Sequence, residues 1–488
     1  MSDFNRQKRP QTTSAEYRKM RDRIKARDLI ITTFFAFLIV MALIGLLLPL
    51  RPKTSAVEKR DLEKWPAFSI AAIWDGSYFD QISTWYADTF PFRETLIKAN
   101  SAVKGLYGLQ GEQIIHNDSA QKDDIPTDDE TEAPEDEMTE EEKAAEEAKK
   151  AEEAAKKAEE EKEKQIDEES AIGEDGEAIN VVPEPVGSLY VAGDTAYDLF
   201  YFYREGADQY IDYVDMIQDK LDGIAQVYDI IAPTSIGIML TDEAQEKLGI
   251  SSQKEAIAYA FKAIGKKNDK VKTVNVCRNL IEHNGEYIYF RTDHHWTALG
   301  AYYGYQAFCE EKGITPTPIE DYETMEFDNF LGTFYAGAGQ PASLEANPDT
   351  VIAYIPKATN KMTYIGTDDE EHVWEVVTDV TDWERGSKYN CFIAGDEPYG
   401  VIENPNLDDG SACCVIKESY GNAFVPFLVD HYQYTYVVDH RYFAYYYEYG
   451  NDFVQLVKDK GIQDVILLNT TLTLCNKDLS QSMADMFE

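Results

Sequence analysis

From Ala412 to Leu468 the chain alternates short, wholly apolar runs with segments of helical spacing, and this alternation constrains the fold more than any other stretch. Ala412 to Ile416 reads as a strand, Lys417-Glu418-Ser419-Tyr420-Gly421 as a tight turn, Asn422 to His431 as a short helix and Thr435 to Val438 as the next strand. Asp452 to Lys460 then reads as a helix and Asp464 to Leu468 as a further strand. Strands without a polar face, separated by helices, predict a parallel sheet covered by helices on both sides. Upstream, Ser188–Ala192 and Ala225–Pro233 read as strands, and Asp208–Leu221 and Gln253–Gly265 as helices. Two strands joined at Asn284-Gly285 are expected next, the second covering Glu286–Phe290. Thr297 is placed to cap a helix from Ala298 to Lys312, which Gly313 ends. Residues 320–390 lean towards β structure and read as an insertion covering the site.

In open α/β sheets, ligands and reacting groups collect at the carboxyl ends of the strands. Ser419 is placed there, as are Arg441, beyond Val438, and the stretch Arg291-Thr292-Asp293-His294-His295-Trp296-Thr297. The chain holds only 7 histidines, so two beside an aspartate need an explanation. On an extended segment Asp293 and His295 share a side and His294 faces away. The pair then suits a general base held by a carboxylate, and the same residues also suit a metal site or packing against Trp296. Joined to Ser419 they make a nucleophile, a base and an orienting acid. Backbone groups around Ser419, Tyr420 and Gly395, or the Arg441 side chain, are the candidate oxyanion donors, Arg441 being equally suited to an ion pair. Gly193-Asp194-Thr195 and Ser235 are weaker alternatives: the first has threonine in the nucleophile position, and the second lacks a helix pattern to expose it.

The rest of the chain divides by composition. Residues 1–28 form a basic tail with nine Lys/Arg between Arg6 and Arg27. Residues 29–50 are an uncharged apolar run, about 33 Å long as a helix, which reads as a transmembrane segment; a cleaved signal peptide is the rival reading, against which stand the length of the run and the lack of a clear small-x-small site after it. The basic flank predicts a single pass with the N-terminus cytoplasmic and everything beyond Arg51 outside the cell. Residues 51–116 form a lead-in. Residues 117–180 form an acidic spacer that cannot bury a core: from Gln121 to Ser170 there are 23 Asp and Glu against 8 Lys. Residues 181–488 are left as the catalytic domain. A net charge of -43 argues against nucleic acid as a partner. Six scattered cysteines without a CxxC pair do not make a disulfide scaffold or a cysteine zinc site.

Three blocks, Asp293-His294-His295-Trp296-Thr297, Lys417 to Phe427 and Asp439-His440-Arg441-Tyr442, together with Phe90-Pro91-Phe92-Arg93, resemble the DHHW protein family. That family is similar to the alginate O-acetyltransferases of the AlgJ and AlgX type, with a circularly permuted SGNH-hydrolase-like fold. The resemblance implies an α/β fold of that kind with Ser419 as nucleophile, His295 as base and Asp293 behind it. It also implies a polysaccharide acceptor and a separate multi-span membrane acyltransferase that supplies acetyl. No cofactor and no metal ion is expected. The expected activity is O-acetyl transfer to a cell-envelope or secreted polysaccharide. A carbohydrate acetylesterase with the same triad, or a non-catalytic glycan-binding or assembly scaffold, is the alternative.

Overall fold

The computed structural model describes residues 187–487 continuously. Before them it describes 32–33, 51–55, 60–62, 64–66, 68, 77–93, 95–96, 113–115, 122–126, 170–172 and 178–180. The apolar run 29–50 therefore lies outside the described residues, apart from Thr32 and Thr33. Among the described residues no helix is long and apolar enough to cross a membrane.

An eight-stranded sheet organises the main unit. Its strands, in chain order, are β1 (Gln226–Ala232), β2 (Lys272–Val274), β3 (Lys361–Ile365), β4 (Glu371–Glu375), β5 (Tyr399–Glu403), β6 (Ala412–Lys417), β7 (Tyr434–Asp439) and β8 (Asp464–Thr470). Across the sheet they run β4-β3-β5-β7-β6-β8-β1-β2. The five strands from β7 to β2 pair in parallel, as the alternating pattern predicts. The sheet is nonetheless mixed, because β5, β3 and β4 add on antiparallel. Two strands of the expected insertion, β3 and β4, thus extend the sheet rather than lie over the site. Its other two strands form a separate antiparallel pair, Glu323–Phe330 with Asp349–Ile355, with the short helices Thr333–Gly337 and Ala342–Glu345 between them.

The central strands are buried on both faces, which accounts for their unbroken apolar runs. Alternation sends Cys413, Val415, Ile466 and Leu468 into one core, shared with Trp296 and the helix Ala298–Lys312. Cys414, Ile416, Val465 and Leu467 enter a second core, with the helices Arg204–Leu221 and Gln253–Lys267. All six cysteines are free thiols.

The expected hairpin at Asn284-Gly285 does not form. Asn275 caps the N-terminus of a helix, Val276–Glu282, whose Val276, Cys277 and Leu280 face the core at helical spacing. Asn284-Gly285 merely turns the chain afterwards, and 286–290 joins its surroundings through an isolated bridge from Tyr289 to Trp296. The helix Ala298–Lys312 has the bounds expected of it, with Thr297 Oγ1 accepting from Gly300 N and Gly313 left-handed at φ 77°. Residues 122–126, placed by composition inside the acidic spacer, are held on the main unit. Lys122 Nζ donates to Gly249 O and Asp123 N to Phe202 O, while Ile125 packs into the second core.

Ahead of the main unit, the described residues among 51–55 and 61–96 fall within a compact unit of their own. In it the helix Ser77–Asp88 carries Trp85, and the Arg51 guanidinium lies 3.8 Å from the Trp85 ring centroid.

Candidate active site

The segment after Phe290 doubles back. Phe290 N donates to His295 O and Thr297 N to Ile288 O, which closes a tight loop over residues 291–295. Asp349 anchors the start of that loop: its carboxylate accepts from Arg291 N, Thr292 N and Thr292 Oγ1. Within the loop, Asp293 Oδ1 accepts from its neighbour's backbone, His295 N, at 3.1 Å and meets His295 Nδ1 at 2.6 Å. The pairing of Asp293 with His295 therefore comes from an aspartate turn and not from the pleat of an extended segment. His294 is not directed to the opposite side either. Its ring lies 3.7 Å from that of His295, and its Nδ1 is 2.7 Å from Thr333 Oγ1.

Ser419 leaves the carboxyl end of β6 in a turn closed by Gly421 N to Glu418 O and Asn422 N to Ser419 O. The helix that follows is only Gly421–Phe424, continued as a 3-10 turn over Val425–Phe427, because Pro426 supplies no N–H for a longer one. Separated by 124 positions in sequence, Ser419 Oγ and His295 Nε2 stand 2.7 Å apart. Asp293, His295 and Ser419 are all buried.

The electrostatics assign the protons. Burial alone raises the Asp293 carboxyl. The imidazoles of His295 and His294 and the amide of Thr333 outweigh it and hold the group well below the usual carboxylate range. An ionised carboxylate only accepts, so His295 Nδ1 carries the proton shared with it; when the ring is neutral, Nε2 is then the acceptor for the Ser419 hydroxyl. This is the proton arrangement a general base needs.

Other groups fix the three residues. Thr333 N and Oγ1 donate to Asp293 Oδ2 at 2.9 and 3.2 Å. The Tyr389 ring stacks on His295 at 3.8 Å and 14°, and its hydroxyl donates to Ser419 O at 3.0 Å. Trp296 Nε1 donates to Tyr420 O, and Tyr420 OH to His294 O. Glu418 accepts from Thr470 N and Thr473 Oγ1. Thr333, Asp349 and Tyr389 lie in the stretch read from sequence only as β-leaning, and no local pattern marks them.

Gly332 is needed for space. A Cβ on it would lie 2.1 Å from Asp293 Oδ2. Gly332→Ala is therefore expected to displace the carboxylate and slow any reaction that uses His295 as base by about 100-fold, the scale of a misplacement near 1 Å. The check is the ester hydrolysis rate of the full-length variant beside its melting curve; a folded variant at wild-type rate would contradict it.

The three oxyanion candidates sit in different settings. Gly395 N donates to Phe392 O and its carbonyl accepts from Lys417 Nζ. Arg441 forks onto Asp439 through Nε and Nη2, at 2.8 and 2.7 Å, and reaches Asp396 at 3.3 Å. The Tyr420 side chain packs beneath the imidazoles, 5.4 Å from the His295 ring. Gly193-Asp194 forms the turn between the strands Leu189–Ala192 and Thr195–Asp198, with Thr195 opening the second strand, and Ser235 opens a five-residue helix, buried. Asp293, His294 and His295 offer ligand atoms within 4.8 Å of one another. Both His295 nitrogens and His294 Nδ1 lie within hydrogen-bond distance of Asp293, Ser419 and Thr333.

A family model described as DHHW protein matches residues 58–438. No curated protein matches the chain. Among solved structures, a DHHW family protein from Eubacterium siraeum is similar at 29% identity and a TM-score of 0.53, covering 62% of this chain and 95% of that one. Bacillus cereus PatB1, solved with a sulfonyl adduct, is similar at 20% identity and a TM-score of 0.50, covering 62% and 98%. The O-acetyltransferase domain of Pseudomonas putida AlgJ is matched at 13% identity and a TM-score of 0.37, over 60% and 96%.

Proposed function

Given that the chain belongs to the DHHW protein family, we propose that it is a serine-dependent O-acetyltransferase that moves acetyl groups onto the hydroxyls of a polysaccharide. The observation that carries this reading is the relay from Ser419 Oγ through His295 to Asp293, at 2.7 and 2.6 Å. In the first half-reaction Ser419 Oγ attacks the donor's acetyl carbonyl while His295 Nε2 takes the hydroxyl proton. The imidazolium so formed faces the Asp293 carboxylate. Collapse of the tetrahedral intermediate expels the donor alcohol, which takes the proton from His295, and leaves acetyl-Ser419. In the second half a sugar hydroxyl gives its proton to His295 and attacks that ester, and Ser419 leaves with the proton restored. Of the oxyanion candidates we retain the backbone N–H of Tyr420, since Gly395 N and the Arg441 guanidinium are committed elsewhere.

The mixed sheet with Ser419 at a strand's carboxyl end supports a circularly permuted SGNH-hydrolase-like arrangement, in which the Asp293-His295 block precedes the nucleophile. The apolar run 29–50 and its basic flank support a single-pass anchor with the site outside the cell. That placement in turn calls for a multi-span membrane acyltransferase to carry acetyl across. The test is incubation of the full-length protein with an activated acetyl ester and an unacetylated glycan. Acetate is expected on the sugar, detected by mass spectrometry, from wild type and not from Ser419→Ala. Acetate released only to water would overturn transfer in favour of an esterase.

A further inference from the structure

The side chain that ends β6, two residues before Ser419, is a lysine 1% exposed. Lys417 Nζ has three protons and spends all three, on Gly395 O at 3.1 Å, Asp396 Oδ1 at 3.0 Å and Asp439 Oδ2 at 3.0 Å. Arg441 closes the group by binding both carboxylates, so two cations and two anions form a neutral buried quartet. Withdrawing four charges from water is costly, and apolar side chains of the same volume commonly match such a group in stability. Stability alone therefore does not account for the quartet.

Its connections give it a second role. Asn422 Nδ2 donates to Asp396 Oδ1 at 3.0 Å, so both ends of the Ser419 turn, Lys417 and Asn422, are tied to one carboxylate. The Lys417 stem also fills the inside of the turn: a Cβ on Gly421 would lie 2.5 Å from Lys417 Cβ. Asp396 terminates a segment that begins at Tyr389, the ring against His295. Between them Ile393, Ala394 and Gly395 have φ of 46°, 60° and 82° in succession. Two of these carry side chains, one β-branched, for which the left-handed region is unfavourable. Such a run persists only where its surroundings over-determine it. Lys417, donating to Gly395 O, is one such constraint.

We propose that Lys417, with Asp396, Asp439 and Arg441, is a positioning group. It couples the left-handed 393–395 turn to the Ser419 turn, and so holds Tyr389 and Ser419 where the hydroxyl meets His295. The proposal rests on Ser419 being the nucleophile.

The test uses full-length Lys417→Met, which leaves an unbalanced buried anion, and Lys417→Met/Asp396→Asn, which restores neutrality. Each is melted, and each is treated with phenylmethylsulfonyl fluoride while the modification of Ser419 is followed by peptide mass spectrometry. The single variant is expected to melt below wild type. The double variant is expected to melt close to wild type yet to label about 100-fold more slowly. A folded double variant labelled at the wild-type rate overturns the positioning role alone; a wild type that takes no reagent at Ser419 overturns the nucleophile and the positioning role together. If the double variant does not fold, Asn422→Ala replaces it, because it cuts the tie to Asp396 without removing a charge. Labelling about 10-fold slower is then expected, and the wild-type rate overturns the proposal.

Discussion

Full-length Ser419→Ala is expected to lose acetyl transfer and ester hydrolysis together, with kcat falling by a factor of the order of 10^6, as in a comparable hydrolase stripped of its nucleophile. Alanine keeps the backbone that receives Tyr389 OH and the turn closed by Gly421 N, so the variant should remain folded. The measurement is single-turnover release from an acetyl ester, beside a melting curve. A folded variant that retains a hundredth of the wild-type rate, a loss of only about 3 kcal/mol in transition-state stabilisation, would assign the nucleophile to another residue.

The second large effect is expected from Asp293→Asn, with a loss of about 10^4 in kcat, the size found when the acid behind a catalytic imidazole is made an amide. Asp293 Oδ1 accepts from His295 N and faces His295 Nδ1, while Oδ2 accepts from Thr333 N and Oγ1. An amide has one oxygen and one NH2, so a donor must confront a donor on one side. If the NH2 faces His295, Nδ1 becomes an acceptor and Nε2 carries the proton, which is the wrong tautomer for taking one from Ser419. If it faces Thr333, a buried N–H loses its acceptor, at about 1–3 kcal/mol. The pH dependence follows from the lowered Asp293 pKa. A depressed carboxylate contributes stability that is fully present above its unfolded value, near 3.8, and is lost as the pH falls below it. Asp293 thus stays ionised through the range in which imidazoles titrate. Asp293 itself is then expected to add no step to the wild-type rate profile above pH ~4. A rate profile resolves this.

The parts of this site legible in the sequence are those whose chemistry is rare or whose periodicity is strong. Seven histidines make the Asp293-His294-His295 cluster conspicuous, and doubly buried strands make β6, β7 and β8 plain. Ser419 stands at a strand's carboxyl end as expected, but the strand expected before Asp293 and His295 is only an isolated bridge at Tyr289, and the pleat that was to pair them is replaced by an aspartate turn. Thr333, Gly332, Asp349 and Tyr389 were not legible because their roles exist only across the fold. A threonine that holds a carboxylate 40 positions away has the same local sequence as one that holds nothing. The hairpin at Asn284-Gly285 failed for a different reason. A strong turn dipeptide fixes a reversal but not the structure on either side of it, and Asn275 had already started a helix. The antiparallel strands β3 and β4 looked like a cover because period-two patterning does not say which sheet a strand joins.

The order of strands in the sheet has a consequence for biosynthesis. β1, formed from residues 226–232, has β8, residues 464–470, as its parallel neighbour, paired from Gln226–Asp464 through to Ala232–Thr470. Glu418, beside the nucleophile, likewise waits for Thr470 and Thr473. A nascent chain therefore carries β1 with that edge uncovered until synthesis has passed Asp464, and an aborted product that stops before Asp464 keeps it so, prone to aggregation. The turn that carries Ser419 is thereby completed only once residues 470–473 have been made.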